Sequence, residues 1–261
     1  MLLWYVPVSV ALVYASPRVT VTVAIVTVVL LVLWYGRRGD PQSTARRRTV
    51  LRLRRIGPAA PWVVGMAIAM PVGVYAVGLL LIRLGYGLDK IPDPLGPFLH
   101  RPHGWWGVGA LAVFVAPVLE EFTFRGWIQQ PLEAQCGAPC AIAISAALFA
   151  LAHEMLLRVP LLLVSGLILG SVVYLTRSIW AGVAMHFANN AMATALGAPA
   201  LERALAPLEH PPLWELVTCA AASTLLCAWL FRGLWRATRG AGASMADGAH
   251  STRFAPGSVP P

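Results

Sequence analysis

Glu120 and Glu121 are adjacent carboxylates at the end of the apolar run 108–119, and Arg125 stands four residues after Glu121. The same spacing links Phe149 to His153 and His186 to Asn190. Residues four apart share one face of a helix, so each pair presents its two side chains together. Neighbouring carboxylates disfavour simultaneous ionisation, which suits one of them to act as a base near neutral pH. Arg125 can neutralise Glu121 as a buried ion pair and offset its desolvation. His186 and Asn190 set two hydrogen-bonding groups side by side. The chemistry these parts allow is proton transfer and water activation away from bulk solvent.

An apolar scaffold must place these side chains. Of 261 residues, 58% are hydrophobic and 12% charged, and the mean hydropathy is +0.69. Soluble domains carry about 25% charged residues. The chain therefore reads as an integral membrane protein, and collagen-like, disordered and disulfide-scaffold classes are excluded. The net charge of +9 is carried almost wholly by arginine. Arg37, Arg38, Arg46, Arg47, Arg48, Arg52, Arg54 and Arg55 share one linker, and Arg232, Arg236 and Arg239 follow the last apolar run. Both clusters abut predicted spans, which is the pattern of cytoplasmic loops, with attraction to anionic headgroups as an accompaniment. No nucleic-acid partner is expected. Cys136, Cys140, Cys219 and Cys227 lie in no metal-binding spacing and read as small hydrophobes.

A membrane helix needs about 20 apolar residues. The candidate spans are 2–15, 19–35, 59–82, 105–119, 139–152, 161–175, 179–196 and 213–231. The predicted fold is all-α, a polytopic transmembrane bundle of about seven or eight helices. Residues 1–57 supply one or two N-terminal spans and the Arg-rich linker. Residues 58–236 form the transmembrane core, and the Gly, Ala, Ser and Pro of 237–261 predict a disordered tail. Placing the 37–55 linker in the cytoplasm makes 84–103 an outer loop and returns the second Arg cluster to the inside. Counting ~1.5 Å per residue from the inner boundary puts Glu120 ~14 Å deep, His153 ~18 Å and His186 ~11 Å. That agreement fits one site in mid-membrane, nearer the cytoplasm.

Blander readings exist for each residue. A lone His in a span commonly makes an interhelical hydrogen bond. Glu120 and Glu121 can be an interfacial pair at a helix end, and Arg125 can snorkel to headgroups. Glu154 beside His153 suggests the zinc motif HExxH, but position 157 is Leu157 and the motif is absent. A two-aspartate site is excluded because no Asp lies in a predicted span. Ser165-Gly166 lacks the first Gly of a GxSG nucleophile turn, which Leu163 replaces. Glu133 belongs to a polar stretch near a turn.

Glu120-Glu121-Phe122-Thr123-Phe124-Arg125 fits EExxxR, Phe149 to His153 fits FxxxH, and His186 to Asn190 fits HxxxN. In this order, each on an apolar segment, they resemble the CPBP family of type II CAAX prenyl endopeptidases and bacteriocin-processing or immunity proteins. The resemblance covers about 104–196, which would be the catalytic module. It implies an all-helical membrane fold with a site open to the cytoplasmic side. It also implies endopeptidase hydrolysis of a membrane-associated peptide or protein, CAAX-like or leader-containing, with membrane lipid as the other partner. By that resemblance Glu120 and His153 would position and activate a water, and His186 and Asn190 would stabilise the oxyanion. Glu121 and Arg125 would support them, and Phe149 would pack. The family is described both as metalloproteases and as metal-free glutamate proteases. Asn190 beside His186 suits an oxyanion hole better than a ligand sphere, so no cofactor is expected. Zinc on Glu120, His153 and His186 is the alternative.

Two other classes share these features. A non-catalytic scaffold or immunity factor would keep the fold and lose a motif residue, and none is lost here. A transporter or proton relay also uses intramembrane Glu and His, but the Gly/Pro-broken repeated halves of such proteins are not evident. The expected location is a bacterial plasma membrane, multi-pass, with the 37–55 linker cytoplasmic. Cysteine-accessibility labelling at Ala45, Leu95 and Thr238 checks this orientation. Ala45 and Thr238 should label from the cytoplasmic side and Leu95 from outside.

Overall fold

The computed structural model describes residues 51–88, 109–153, 155–196 and 211–251. The expected spans 2–15 and 19–35, most of the 84–103 loop, and Glu154 lie outside these residues. The regular elements among them are all helical. A 3₁₀ turn, Gly57–Ala59, leads into α1, Ala60–Arg83. The next span opens with π-helical turns at Leu111–Val115, tightens into α2, Ala116–Glu121, and widens again over Phe122–Gln129. α3 is Gln130–Leu151, α4 Val159–Thr176, α5 Ile179–Leu196 and α6 Leu213–Ser251.

Four stretches are long and apolar enough to cross a membrane: Gly57–Arg83, Leu111–Leu151, Leu156–Thr176 and Leu213–Arg239. α5 is not among them, because His186, Asn189 and Asn190 lower its apolarity. One face of α5 is instead buried in protein through Ile179, Ala181, Gly182, Met185 and His186. The chain is an integral membrane protein with a helical fold.

α1 packs on α6 through small residues that let the backbones approach. A Cβ at Gly65 would stand 2.8 Å from Leu230, and one at Gly73 would stand 2.9 Å from the Ser223 hydroxyl. Ser223 Oγ donates to the Ala69 carbonyl at 2.6 Å. Val63, Met66, Met70, Leu169, Val172, Met185 and Leu234 close a core in which α1, α4, α5 and α6 meet. That core fixes one side of α5, and the carboxylate helix, which runs from Leu111 to Gln129, fixes the other.

The apolar run ends at Leu119, but the helix does not. It continues through both glutamates and past Gln129, because the polar residues that follow are buried against α4 rather than released to headgroups: Arg125 and Gln129 are both fully buried. At the other end, α6 runs through Ser251.

Gly137 sharply breaks α3, with φ 78° and ψ 163°. This region of backbone space is essentially closed to residues with a side chain. The exposed break turns the chain back, so that the arm leading to Leu151 lies along the carboxylate helix. Ser145 Oγ donates to the Phe124 carbonyl at 2.8 Å across the pair. A Cβ at Gly137 would meet nothing within 4 Å. Gly137→Ala should therefore cost only conformational strain, about 1–3 kcal/mol. Equilibrium unfolding of the purified variant in detergent measures it, and a cost near zero would show that the turn is not what Gly137 provides.

Candidate active site

Helix termini and a proline create the site's polar partners. Ala116 N–H bonds the Leu111 carbonyl in the wide π pattern. The next rung of that pattern would run from residue 117 to Ala112, but Pro117 has no N–H to give. The Ala112 carbonyl is thereby left open, and Asn190 Nδ2 donates to it at 2.9 Å. This bond ties α5 to the carboxylate helix and leaves Asn190 its second amide proton.

His153 lies just beyond the end of α3, where the last carbonyls lack helical donors. The arm after Gly137 rises only ~20 Å, less than the ~30 Å hydrocarbon core. His153 is thus delivered at its tip. Its Nδ1 donates to the Phe149 carbonyl at 2.8 Å, so Nε2 of the neutral ring is an acceptor.

Glu121 is fully buried and anchors three elements. Arg125 Nη1 donates to its Oε1 at 3.0 Å, and His186 Nδ1 donates to the same oxygen at 3.0 Å. Arg125 Nη2 reaches the Gly166 carbonyl of α4 at 3.2 Å. A Cβ at Gly182 would stand 2.5 Å from Glu121 Oε2, so the bare backbone of α5 makes room for the carboxylate. Arg125 is not a snorkelling residue: it is fully enclosed, with its guanidinium 4.6 Å over the Phe149 ring. Phe149 meets Phe124, His153 and His186 edge-on at 5.4, 4.8 and 5.6 Å between ring centres. Its ring is the apolar wedge that holds both imidazoles.

Glu120 turns to the other side. Its Oε2 lies 3.7 Å from His186 Nε2 and 4.0 Å from His153 Nε2, beyond direct hydrogen-bond reach. That oxygen is buried and has no hydrogen-bond partner among the described residues. Three groups able to accept a proton therefore face one point. The structure brings Glu120, Glu121, Arg125, Phe149, His153 and His186 together, and anchors Asn190 one turn beyond His186. Among the described residues no group of three His, Cys, Asp or Glu side chains is arranged to hold a metal ion. The three side chains of the zinc alternative, Glu120, His153 and His186, face one another across 3.7 and 4.0 Å.

The motifs alone did not flag several residues that build the site. Gly166, Gly170 and Gly182 supply bare backbone, and Gln129 and Glu133 extend the polar stripe of Glu121 and Arg125. The signal was present as the continued four-residue spacing 121, 125, 129, 133. The Gly170-facing amide of Gln129 marks its buried end.

No curated protein and no solved structure matches the chain. A protein-family comparison does. Residues 102–192, which hold every side chain of the motif set, match the family described as type II CAAX prenyl endopeptidase Rce1-like.

Proposed function

We propose that the chain is an intramembrane endopeptidase in which Glu120 and His153 activate a water for attack on a peptide bond. The family match supports a CAAX-type protease at the level of the family. One observation carries the finer reading: the partnerless, buried Oε2 of Glu120, faced by two imidazole Nε2 atoms at 3.7 and 4.0 Å. A water between Glu120 Oε2 and a neutral imidazole Nε2 would donate one proton to each. Its lone pairs would then be free to attack a carbonyl carbon. As the C–O bond forms, Glu120 takes the proton, and it returns that proton to the amine when the C–N bond breaks.

The oxyanion falls to donors on α5. Asn190 has one amide proton committed to Ala112 and one to offer. His186 is fixed through Nδ1 by Glu121, so its Nε2 donates when the ring carries both protons and accepts when it carries one. Donors held in place before charge develops need no reorganisation at the moment of reaction. The substrate in this reading is a membrane-associated peptide with a CAAX-like or leader-type cleavage point, taken from the lipid phase around the spans. We place the Arg-rich linker on the cytoplasmic side of the membrane, where such a substrate would be presented.

An internally quenched peptide ending in a farnesylated CAAX box tests this reading with purified protein. Glu120→Gln keeps the size of the side chain and removes the base, so turnover should collapse while the fold persists. Asn190→Ala should lose about 10²–10³ in kcat, the cost typical of one oxyanion donor. Asn190→Asp should lose more, because it sets a negative charge against both the oxyanion and the Ala112 carbonyl. Activity should survive chelator. Stoichiometric zinc that is lost in both His153→Ala and His186→Ala would replace the water-only mechanism with a metal-assisted one. Full activity in Glu120→Gln would overturn both and return the chain to a scaffold or transporter role.

A further inference from the structure

The polar stripe of the carboxylate helix continues beyond Arg125 to the linker end of the molecule. Gln129, fully buried, donates from Nε2 to the Gly170 carbonyl at 3.1 Å and to Glu133 Oε1 at 3.0 Å. Arg125 makes the parallel bond to Gly166, one turn earlier on α4. A Cβ at Gly170 would stand 2.7 Å from Gln129 Oε1, so this rung also needs bare backbone.

Glu133 closes the stripe. Its Oε2 is paired with Arg52 and lies 3.5 Å from Arg177 Nη1. Arg52 is 5% exposed, unlike the other described arginines of its linker, Arg54 and Arg55, which are exposed. Among the described residues, Arg52 and Arg177 are the two non-glycines with positive φ, at 53° and 52°. Residues with a Cβ avoid that region, and both that adopt it deliver a guanidinium to one carboxylate.

The rest of segment 51–54 is tied down as well. Ile179 N–H donates to the Arg52 carbonyl at 3.0 Å, and Ser178 Oγ donates to the Arg54 carbonyl at 2.6 Å. Leu53 bridges Ser178, and Leu51 is 1% exposed. Leu51 lies against Gly126, the neighbour of Arg125: a Cβ there would stand 3.3 Å from Leu51 Cδ2. Segment 51–54 itself lies N-terminal to the stretch that matches the family.

We propose that residues 51–54 form a clasp that fixes the carboxylate helix, with Arg52 and Gln129 as positioning residues for Glu120. The clasp acts through the ladder Arg52, Glu133, Gln129 and the rungs to α4, and so joins the linker to the reacting groups. The proposal rests on the hydrolase reading above. Shifts of about 1 Å in a reacting group can cost on the order of 10² in rate, so a ladder that sets helix position acts on kcat rather than KM.

Full-length protein in lipid nanodiscs provides the test, with two readouts. Trypsin cutting after Arg54 and Arg55, followed by mass spectrometry, reports release of the clasp whether or not the protein is an enzyme. Cleavage of the farnesylated quenched peptide reports kcat and KM. Arg52→Gln and Glu133→Gln should each speed the trypsin cuts and lower kcat roughly 10- to 100-fold, with KM changed by no more than about twofold. The double variant should be no worse than either single, because both break one link. Arg52→Lys should restore most of kcat. Arg177→Gln, which removes the half-exposed partner of Glu133, should show an intermediate effect and serves if Arg52→Gln does not fold. Faster trypsin cuts with unchanged kcat, a loss confined to KM, or multiplied losses in the double variant would overturn the positioning role. Unchanged trypsin cuts would overturn the clasp itself. A wild type that cleaves no peptide would overturn the hydrolase reading, and the trypsin cuts alone would then decide the clasp.

Discussion

Everything at this site hangs on a carboxylate that has no access to solvent. Glu121 and Arg125 are both fully buried and bonded at 3.0 Å. A bare charge in a membrane span is costly, and pairing makes both groups tolerable. The pair does more than cancel charge. Its carboxylate also accepts from His186 on α5, and its guanidinium also donates to Gly166 on α4. One ion pair therefore sets the spacing of three helices. It fixes the ring orientation of His186, and it leaves the adjacent Glu120 pointing the other way, toward the two Nε2 atoms.

The surrounding architecture serves that pair. Wide π turns on either side of Ala116–Glu121 alter the helical register where the carboxylates emerge, as such turns often do at functional sites. Pro117 withholds a proton, and the carbonyl it leaves open becomes the anchor for Asn190. Glycines on α4 and α5 remove the side chains that would occupy the places of Glu121 and Gln129. The short arm after Gly137 ends early and offers His153 at its tip. α1 and α6 contribute no reacting group. They form with α4 and α5 the apolar core against which α5 is held.

Much of this was readable from residue types and spacing. The three four-residue pairs announced one helix face each, and depth counting placed Glu120, His153 and His186 in one layer. The rest was hidden for identifiable reasons. An apolar scan ends the span at Leu119, because it cannot distinguish a polar residue facing a neighbouring helix from one facing water. Gln129 and Glu133 were lost to that rule. Arg52 sat within a run of arginines whose common explanation is topology, and no pattern separates the one that turns inward. The open carbonyl of Ala112 was implicit in Pro117, but becomes visible only once the turns before it are known to be wide.

The Glu121–Arg125 pair is the structural keystone of the site, and Glu121 also orients His186. The most direct measurement is a stability and turnover comparison of Arg125→Met with the double variant Glu121→Gln/Arg125→Met. Arg125→Met alone leaves a buried, unpaired carboxylate and should destabilise the fold by about 3–5 kcal/mol. The double variant removes the charge as well as its partner, so it should recover most of that stability while peptide cleavage stays lost. Arg125→Met as stable as wild type would show that the pair is not the keystone, and a double variant that cleaves normally would show that Glu121 does not orient His186.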